Sequence, residues 1–147
     1  MDKNPIRKVI IDADGCPRGA RDIVLRLQGE LGYEAHTVSS FHHEISSPNR
    51  HTVGDDPDEA DFAVANRVAP NDIVVTQDLG LAAMALSKGG VPITPNGMCV
   101  TSDILPALLE ERYLGQKHRR GGGRIKGPKA RRASDDERFE RAFRSLF

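Results

Sequence analysis

Asp12 and Asp14 stand two residues apart where the β-branched run Val9-Ile10-Ile11 ends. In an extended segment, residues two apart project to the same side. Asp58 and Asp61 stand three apart at the start of a segment with Phe62, Ala65 and Val68 in helical register, so they can share one helix face. Asp78 follows a second β-branched run, Ile73-Val74-Val75. Three separate segments can thus aim carboxylates at one crevice. Crowded carboxylates repel one another, and a cation relieves that repulsion. All-oxygen donors select Mg²⁺ or Mn²⁺, and Mg²⁺ pairs one or two carboxylates with substrate phosphate. The chemistry to expect is cleavage of a phosphate ester, with a metal-activated water and a stabilised leaving oxygen. Asp12, Asp14, Asp58, Asp61 and Asp78 are the candidate ligands, and Asp12, Asp14, Asp61 and Asp78 the candidate catalytic group. Two of these acids have ordinary structural uses: Asp78 can cap a helix starting at Leu79, and Asp58 can complement a helix dipole. Asp12 is harder to explain that way, because an unpaired carboxylate at the end of an apolar run is costly.

The elements that must position these acids follow from periodicity. Val9–Ile11 reads as a buried strand. Pro17 suits the first position of a helix carrying Ala20, Ile23, Val24, Leu27 and Leu31, which Gly32 stops. Residues 34–39 read as a strand, 40–50 as a polar loop, and 58–68 as a helix. Residues 72–76 read as a strand, 79–88 as an Ala-rich helix, and 91–94 as a strand. Ile104, Leu105, Leu108 and Leu109 mark one more helix. Strands alternating with helices imply βαβ units and a parallel sheet covered on both faces. In such sheets ligands bind outside the carboxyl ends of the strands, where Asp12 and Asp78 fall.

The 147 residues fit one domain with a short appendage. No apolar run approaches the ~18 residues of a membrane span. The first residues carry no secretory pattern, and two cysteines are too few for a disulfide framework, so a cytoplasmic protein is expected. The net charge of zero conceals a division. Through Glu111 there are 9 Lys/Arg and 17 Asp/Glu; from Arg112 onward there are 12 and 4. Residues 116–132 hold Lys117, Arg119, Arg120, Arg124, Lys126, Lys129, Arg131 and Arg132, no acid, and Gly121-Gly122-Gly123. This segment reads as a basic mobile loop with a nucleic-acid partner, RNA foremost. After it, Ser134 and Glu137 fit a capping box, and Phe139, Ala142, Phe143 and Leu146 form an apolar stripe. That final helix can dock on its own domain or on a twin in a homodimer. The expected division is an α/β domain over 1–115, then the basic loop and docked helix over 116–147.

The same residues carry a family likeness. Asp12-Ala13-Asp14-Gly15-Cys16-Pro17 resembles the D-A-D-x-C-P opening of the YaiI/YqxD family of bacterial proteins. Asp58-Glu59-Ala60-Asp61 resembles its D-x-x-D, and Asp72-Ile73-Val74-Val75-Thr76-Gln77-Asp78 its D-x-V-I-T-x-D. Thr94-Pro95-Asn96-Gly97 is similar to its N-P-x-G turn, with Thr94 in place of Asn. Gly127-Pro128 with Asp136, Arg138 and Phe139 is similar to its C-terminal element, with Lys126 in place of a Gly. The family is grouped with PIN-like proteins, mostly metal-dependent RNA nucleases. The resemblance implies a Rossmann-like α/β/α sandwich and a metal site at Asp12, Asp61 and Asp78, assisted by Asp14 or Asp58.

Other readings compete. Asp12-x-Asp14 also resembles the nucleophile motif of haloacid-dehalogenase-type phosphatases. Gly54-Asp55-Asp56 imitates that class's late acidic motif but comes about 40 residues on, before the intervening units such an enzyme needs. A non-catalytic RNA-binding protein would keep its acids for folding. Cys16 at a helix start suggests a stabilised thiolate, although a small buried cysteine also packs well. His36, His42, His43 and His51 fit no standard metal spacing and read as polar loop.

Overall fold

The computed structural model describes residues 7–40, 49–54, 57–122 and 130–147, with the side chains of Pro57 and Asp58 left aside. Strand β1 (Arg7–Asp12) leads through a 3-10 turn (Ala13–Gly15) into α1 (Arg18–Arg26) and α2 (Gln28–Leu31). Then follow β2 (Tyr33–Ser40), β3 (Arg50–Val53), α3 (Pro57–Arg67), β4 (Ile73–Val75), α4 (Leu79–Ser87) and β5 (Val91–Ile93). Helices α5 (Leu105–Arg120) and α6 (Ala133–Arg144) close the chain. All strand pairs are parallel, in the order β3-β2-β1-β4-β5. The molecule is therefore an α/β Rossmann-like sandwich.

Alternation along the strands builds two cores. Val9, Ile11, Ala35, Ile73, Val75 and Ile93 face α1 and α6, meeting Ala20, Val24, Leu27, Phe139 and Phe143. Ile10, Val38 and Val74 face the opposite way, onto Val64, Ala65 and Val68 of α3 and its C-terminus, and Leu81 and Ala85 of α4. Near-continuous apolar strands are what a doubly covered parallel sheet requires.

Four details depart from the expectations. Arg50–Val53 is an edge strand that alternation hid, because its own residues are mostly polar and partly exposed: Arg50, His51 and Thr52 pair with Thr37, Val38 and Ser39 of β2. Pro17 precedes the first helical residue of α1 as its N-cap. Helix α5 runs through Arg120, so residues 116–120 are helical and not loop; the expected boundary at residue 115 falls inside this helix. Helix α6 begins one residue before Ser134, and Asp135, not Glu137, closes its cap by accepting from the Arg132 amide at 2.8 Å.

Helix α6 docks on the body of its own chain. Phe139 and Phe143 are fully buried. Phe143 meets Tyr33 edge-on at 5.6 Å and Phe147 at 5.3 Å. At the rim, Arg144 forks onto Glu30 of α2 at 2.8 and 3.1 Å, and Arg26 of α1 pairs with Glu140.

Candidate active site

The order of strands places a topological switch point at β1. From β1 the chain proceeds outward through β2 and β3, then returns to β1's other side with β4 and β5. The crevice between the carboxyl ends of β1 and β4 is where open α/β sheets bind ligands. Asp12 ends β1, and Thr76-Gln77-Asp78 follows β4 directly.

Asp12 shares the face of Ile10 by strand alternation, toward α3 and α4. It is 8% exposed. The Thr76 hydroxyl donates to its Oδ2 at 2.9 Å and accepts the Asp78 amide at 3.0 Å. One hydroxyl thus bridges the ends of β1 and β4. Burial pushes the Asp12 carboxyl up to about 6, the Thr76 hydrogen bond opposes this, and the charges of Asp61, Asp14 and Asp78 push it further. These three acids are therefore close enough to act on Asp12.

A comparison within the molecule shows how unusual that environment is. Asp72, at the opposite end of the sheet, is also buried. It accepts from the amides of Lys8 (3.1 Å) and Ala69 (2.9 Å) and pairs with the Lys8 ammonium at 3.1 Å. Amides and a cation satisfy Asp72, as a structural acid requires. Asp12 receives a neutral hydroxyl and the fields of three like charges.

The other acids have local duties as well. Asp14 accepts from the Ser40 amide at 3.0 and 3.1 Å, joining the turn after β1 to the end of β2. Asp78 is the N-cap of α4, its Oδ1 accepting from Gly80 at 2.8 Å and Leu81 at 3.2 Å. The structural use of Asp78 is thus real, and it coexists with its place in the cluster. Asp61 lies in α3; Asp58 lies in its first turn, with its side chain outside the described residues.

Sequence reasoning passed over Thr76 and Gln77. The Gln77 amide donates to the Gly15 carbonyl at 2.6 Å, fastening the turn after β1 to the segment after β4. A Thr two residues before an acid after a buried strand is the available signal: its hydroxyl can accept the amide two positions on.

The donors around Asp12 would suit a hard cation: they are oxygen only, and Asp12 itself is buried. Among the described residues, no three of His, Cys, Asp and Glu are grouped to form a ligand shell by themselves. Mg²⁺ needs only one or two direct carboxylates and keeps several waters, so acids spread around Asp12 match it better than they match zinc.

The basic residues separate into kinds. Lys117, Arg119 and Arg120 are exposed on the last turns of α5, and Arg132 is exposed before α6. Arg131 is committed: it donates to Asp136 at 2.6 Å and to the Pro95 carbonyl at 2.9 Å, tying α6 to the turn after β5. Arg124, Lys126 and Lys129 lie outside the described residues.

His36 and His51 face each other across β2 and β3, with parallel rings and nitrogens 3.0 Å apart, and His36 meets Glu34 at 2.6 Å. His42 and His43 lie outside the described residues, as do Asp55 and Asp56. Burial pushes the Cys16 thiol up to about 12, against the pull of Arg21 and Arg131. The helix-start thiolate is therefore disfavoured. Cys16 should react with iodoacetamide at pH 8 at least tenfold more slowly than a free cysteine, read by mass spectrometry; rapid labelling would restore the nucleophile reading.

No helix among the described residues is long and apolar enough to cross a membrane. The model for a family described as "Uncharacterized BCR, YaiI/YqxD family" matches residues 10–147. The chain is similar to a "UPF0178 protein" of Exiguobacterium sibiricum, 45% identical over 141 residues and 95% of each chain. A "UPF0178 protein" of Heliobacterium modesticaldum is 44% identical over 139 residues, again 95% of each. One of Clostridium perfringens is 41% identical over 134 residues, 90% of this chain and 89% of the relative. No solved structure matches the chain.

Proposed function

The chain belongs to the YaiI/YqxD family, and from the acids at its switch point we propose that it is a metal-dependent phosphodiesterase of the PIN-like kind, hydrolysing RNA in the cytoplasm. One observation carries this reading: Asp12, buried at the end of the central strand, has no compensation comparable to that of Asp72 and sits in the fields of Asp14, Asp61 and Asp78. A carboxylate buried without a counter-charge, with like charges adding to it, is a standing cost to the fold, and a bound cation would turn that cost into binding energy.

Asp12, Asp61 and Asp78 would hold Mg²⁺ or Mn²⁺, with Asp14 or Asp58 assisting. The metal, when bound, supplies an activated water and stabilises the leaving oxygen. The chain's own part is positioning. Thr76 holds Asp12 and the backbone of Asp78 in fixed relation. Gln77 and Asp14 brace the turn that follows β1. The carboxylate at Asp12 is ionised at neutral pH, since its pKa of about 6 lies below 7.

The test is calorimetric titration of the chain with Mg²⁺ and Mn²⁺, alongside cleavage of a labelled single-stranded RNA. Wild type should bind the metal and cleave. Asp78→Asn should lose both while keeping its fold, because Asn caps a helix as well as Asp does. Absence of metal binding by wild type would overturn the proposal.

The basic segment supplies a second expectation. It has no Phe, Tyr or Trp on which bases could stack, so it should hold phosphates with little reading of sequence. If about five of its cations engage single-stranded RNA, log affinity should fall against log salt with a slope of roughly −3.5. Changing Arg119, Arg120 and Arg132 to Ala should flatten the slope. Arg131 is left out of that set because its role is to fasten α6. An unchanged slope would make the segment a solvated connector.

A further inference from the structure

Asp78 is flanked by Gln77 and Leu79, and both line a groove of about 680 Å³. One wall is the turn after β5, with Asn96 and Met98; the other is α5, with Leu108, Arg112 and Arg119. We propose that this groove seats a single-stranded oligonucleotide segment, at least a dinucleotide, alongside the acids of the candidate active site; this deepens the phosphodiesterase reading and rests on it for the direction of the strand toward Asp78.

Three features select that occupant. First, Arg112 and Arg119 are seven residues apart on one helix, hence on one face and about 10 Å apart along the axis. Two cations placed along one wall can meet successive phosphates of one backbone. Second, Glu111 also lines the groove, so charge alone holds an anion poorly there. Third, the floor is apolar where Leu79, Met98 and Leu108 meet, and Met98 is 39% exposed. An apolar floor rewards the flat face of an unstacked base, which a duplex hides and a free phosphate lacks. The Asn96 side chain offers a donor and an acceptor for a base edge. The size lies within the ~300–1,000 Å³ typical of ligand clefts and leaves room for a dinucleotide.

The experiment uses the full chain in EDTA, where metal-dependent cleavage cannot proceed, with a fluorescein-labelled hexauridylate read by anisotropy. Arg112→Ala and, separately, Met98→Asp should each weaken binding tenfold or more while their melting temperatures stay at wild type; both side chains are exposed. Unlabelled hexauridylate should compete; inorganic phosphate and a short RNA duplex at the same phosphate concentration should not. Unchanged affinity in both variants, or equal competition by phosphate or duplex, would overturn the groove. The two readings fail separately. If wild type cleaves RNA and both groove variants bind as it does, the groove falls and the catalytic reading stands. If nothing is cleaved but binding depends on Arg112 and Met98, the groove's ligand stands and the catalytic reading falls.

Discussion

Without metal at pH 7, Asp12→Asn should melt higher than the wild-type chain, and it should cleave no RNA. The folded pKa of Asp12 is about 6 against an ordinary 3.8, chiefly through burial. A carboxyl with a raised folded pKa binds its proton more tightly in the native state. Between about pH 4 and pH 6 the native chain therefore holds a proton the unfolded chain has released, and stability falls as pH rises through that window. By about pH 7 nearly the whole penalty is present. At 1.36 kcal/mol per pKa unit, it amounts to at most about 3 kcal/mol. Asn keeps an oxygen for the Thr76 hydroxyl and carries no charge, so the penalty disappears. For a chain of this size the melting temperature should rise by up to about 10 °C. The difference between variant and wild type should be small at pH 4 and grow to pH 6. Added Mn²⁺ should raise the wild-type melting temperature by mass action and leave the variant unmoved. Calorimetric melts across that pH range decide the matter: a variant that melts lower at pH 7 would make Asp12 a structural residue, and the candidate site would lose its centre.

Phe143→Ala should cost about 3–5 kcal/mol, the largest loss of stability expected from any single truncation discussed. Phe143 is fully buried, against Tyr33, Phe139 and Phe147. Its removal leaves a cavity between α6 and the sheet that the aromatic neighbours cannot fill without leaving their own rotamers. A domain has only about 5–15 kcal/mol in hand, so the loss should show as a drop of 10 °C or more in melting temperature. Hydrogen exchange should locate it: amides of α6 should lose protection first, followed by those of α1, which shares the core. Unchanged stability would mean that α6 rests on the domain without contributing to its core.

Much of this protein is legible in one dimension because its signals are local. Val9-Ile10-Ile11 and Ile73-Val74-Val75 can only be buried strands, and the Gly32 stop with φ of 73° is a backbone requirement written in one residue. The apolar stripe of Phe139 and Phe143 announces a docked helix before its partner is known. The acids of the candidate site are legible for a similar reason: Asp12, Asp14 and Asp78 sit where strands end, and Asp58 and Asp61 in the first two turns of a helix. Strand β3 was hidden because an edge strand made of Arg50, His51 and Thr52 has no apolar alternation to show. The helical state of residues 116–120 was hidden by composition, since a run of cations next to three glycines reads as coil, whereas a helix already propagated from Leu105 adds each further residue cheaply.

What the sequence by itself determined is the alternation of strands and helices, and the presence of carboxylates at strand ends. Tertiary structure alone decided what surrounds each acid. Strand order put β4 beside β1, and so brought Thr76 onto Asp12 across 64 positions of chain. It also separated two acids that look alike in sequence. Asp72 and Asp12 both border buried strands, yet one finds an ammonium and two amides at the amino end of the sheet, and the other finds three like charges at the carboxyl end. Arg131 likewise looks the same as its basic neighbours until the fold gives it Asp136 and Pro95 to hold. The physical reason is common to all three cases. A side chain's type fixes what it can bind, but its desolvation and the charges around it arise from segments distant in sequence, and these set its free energy.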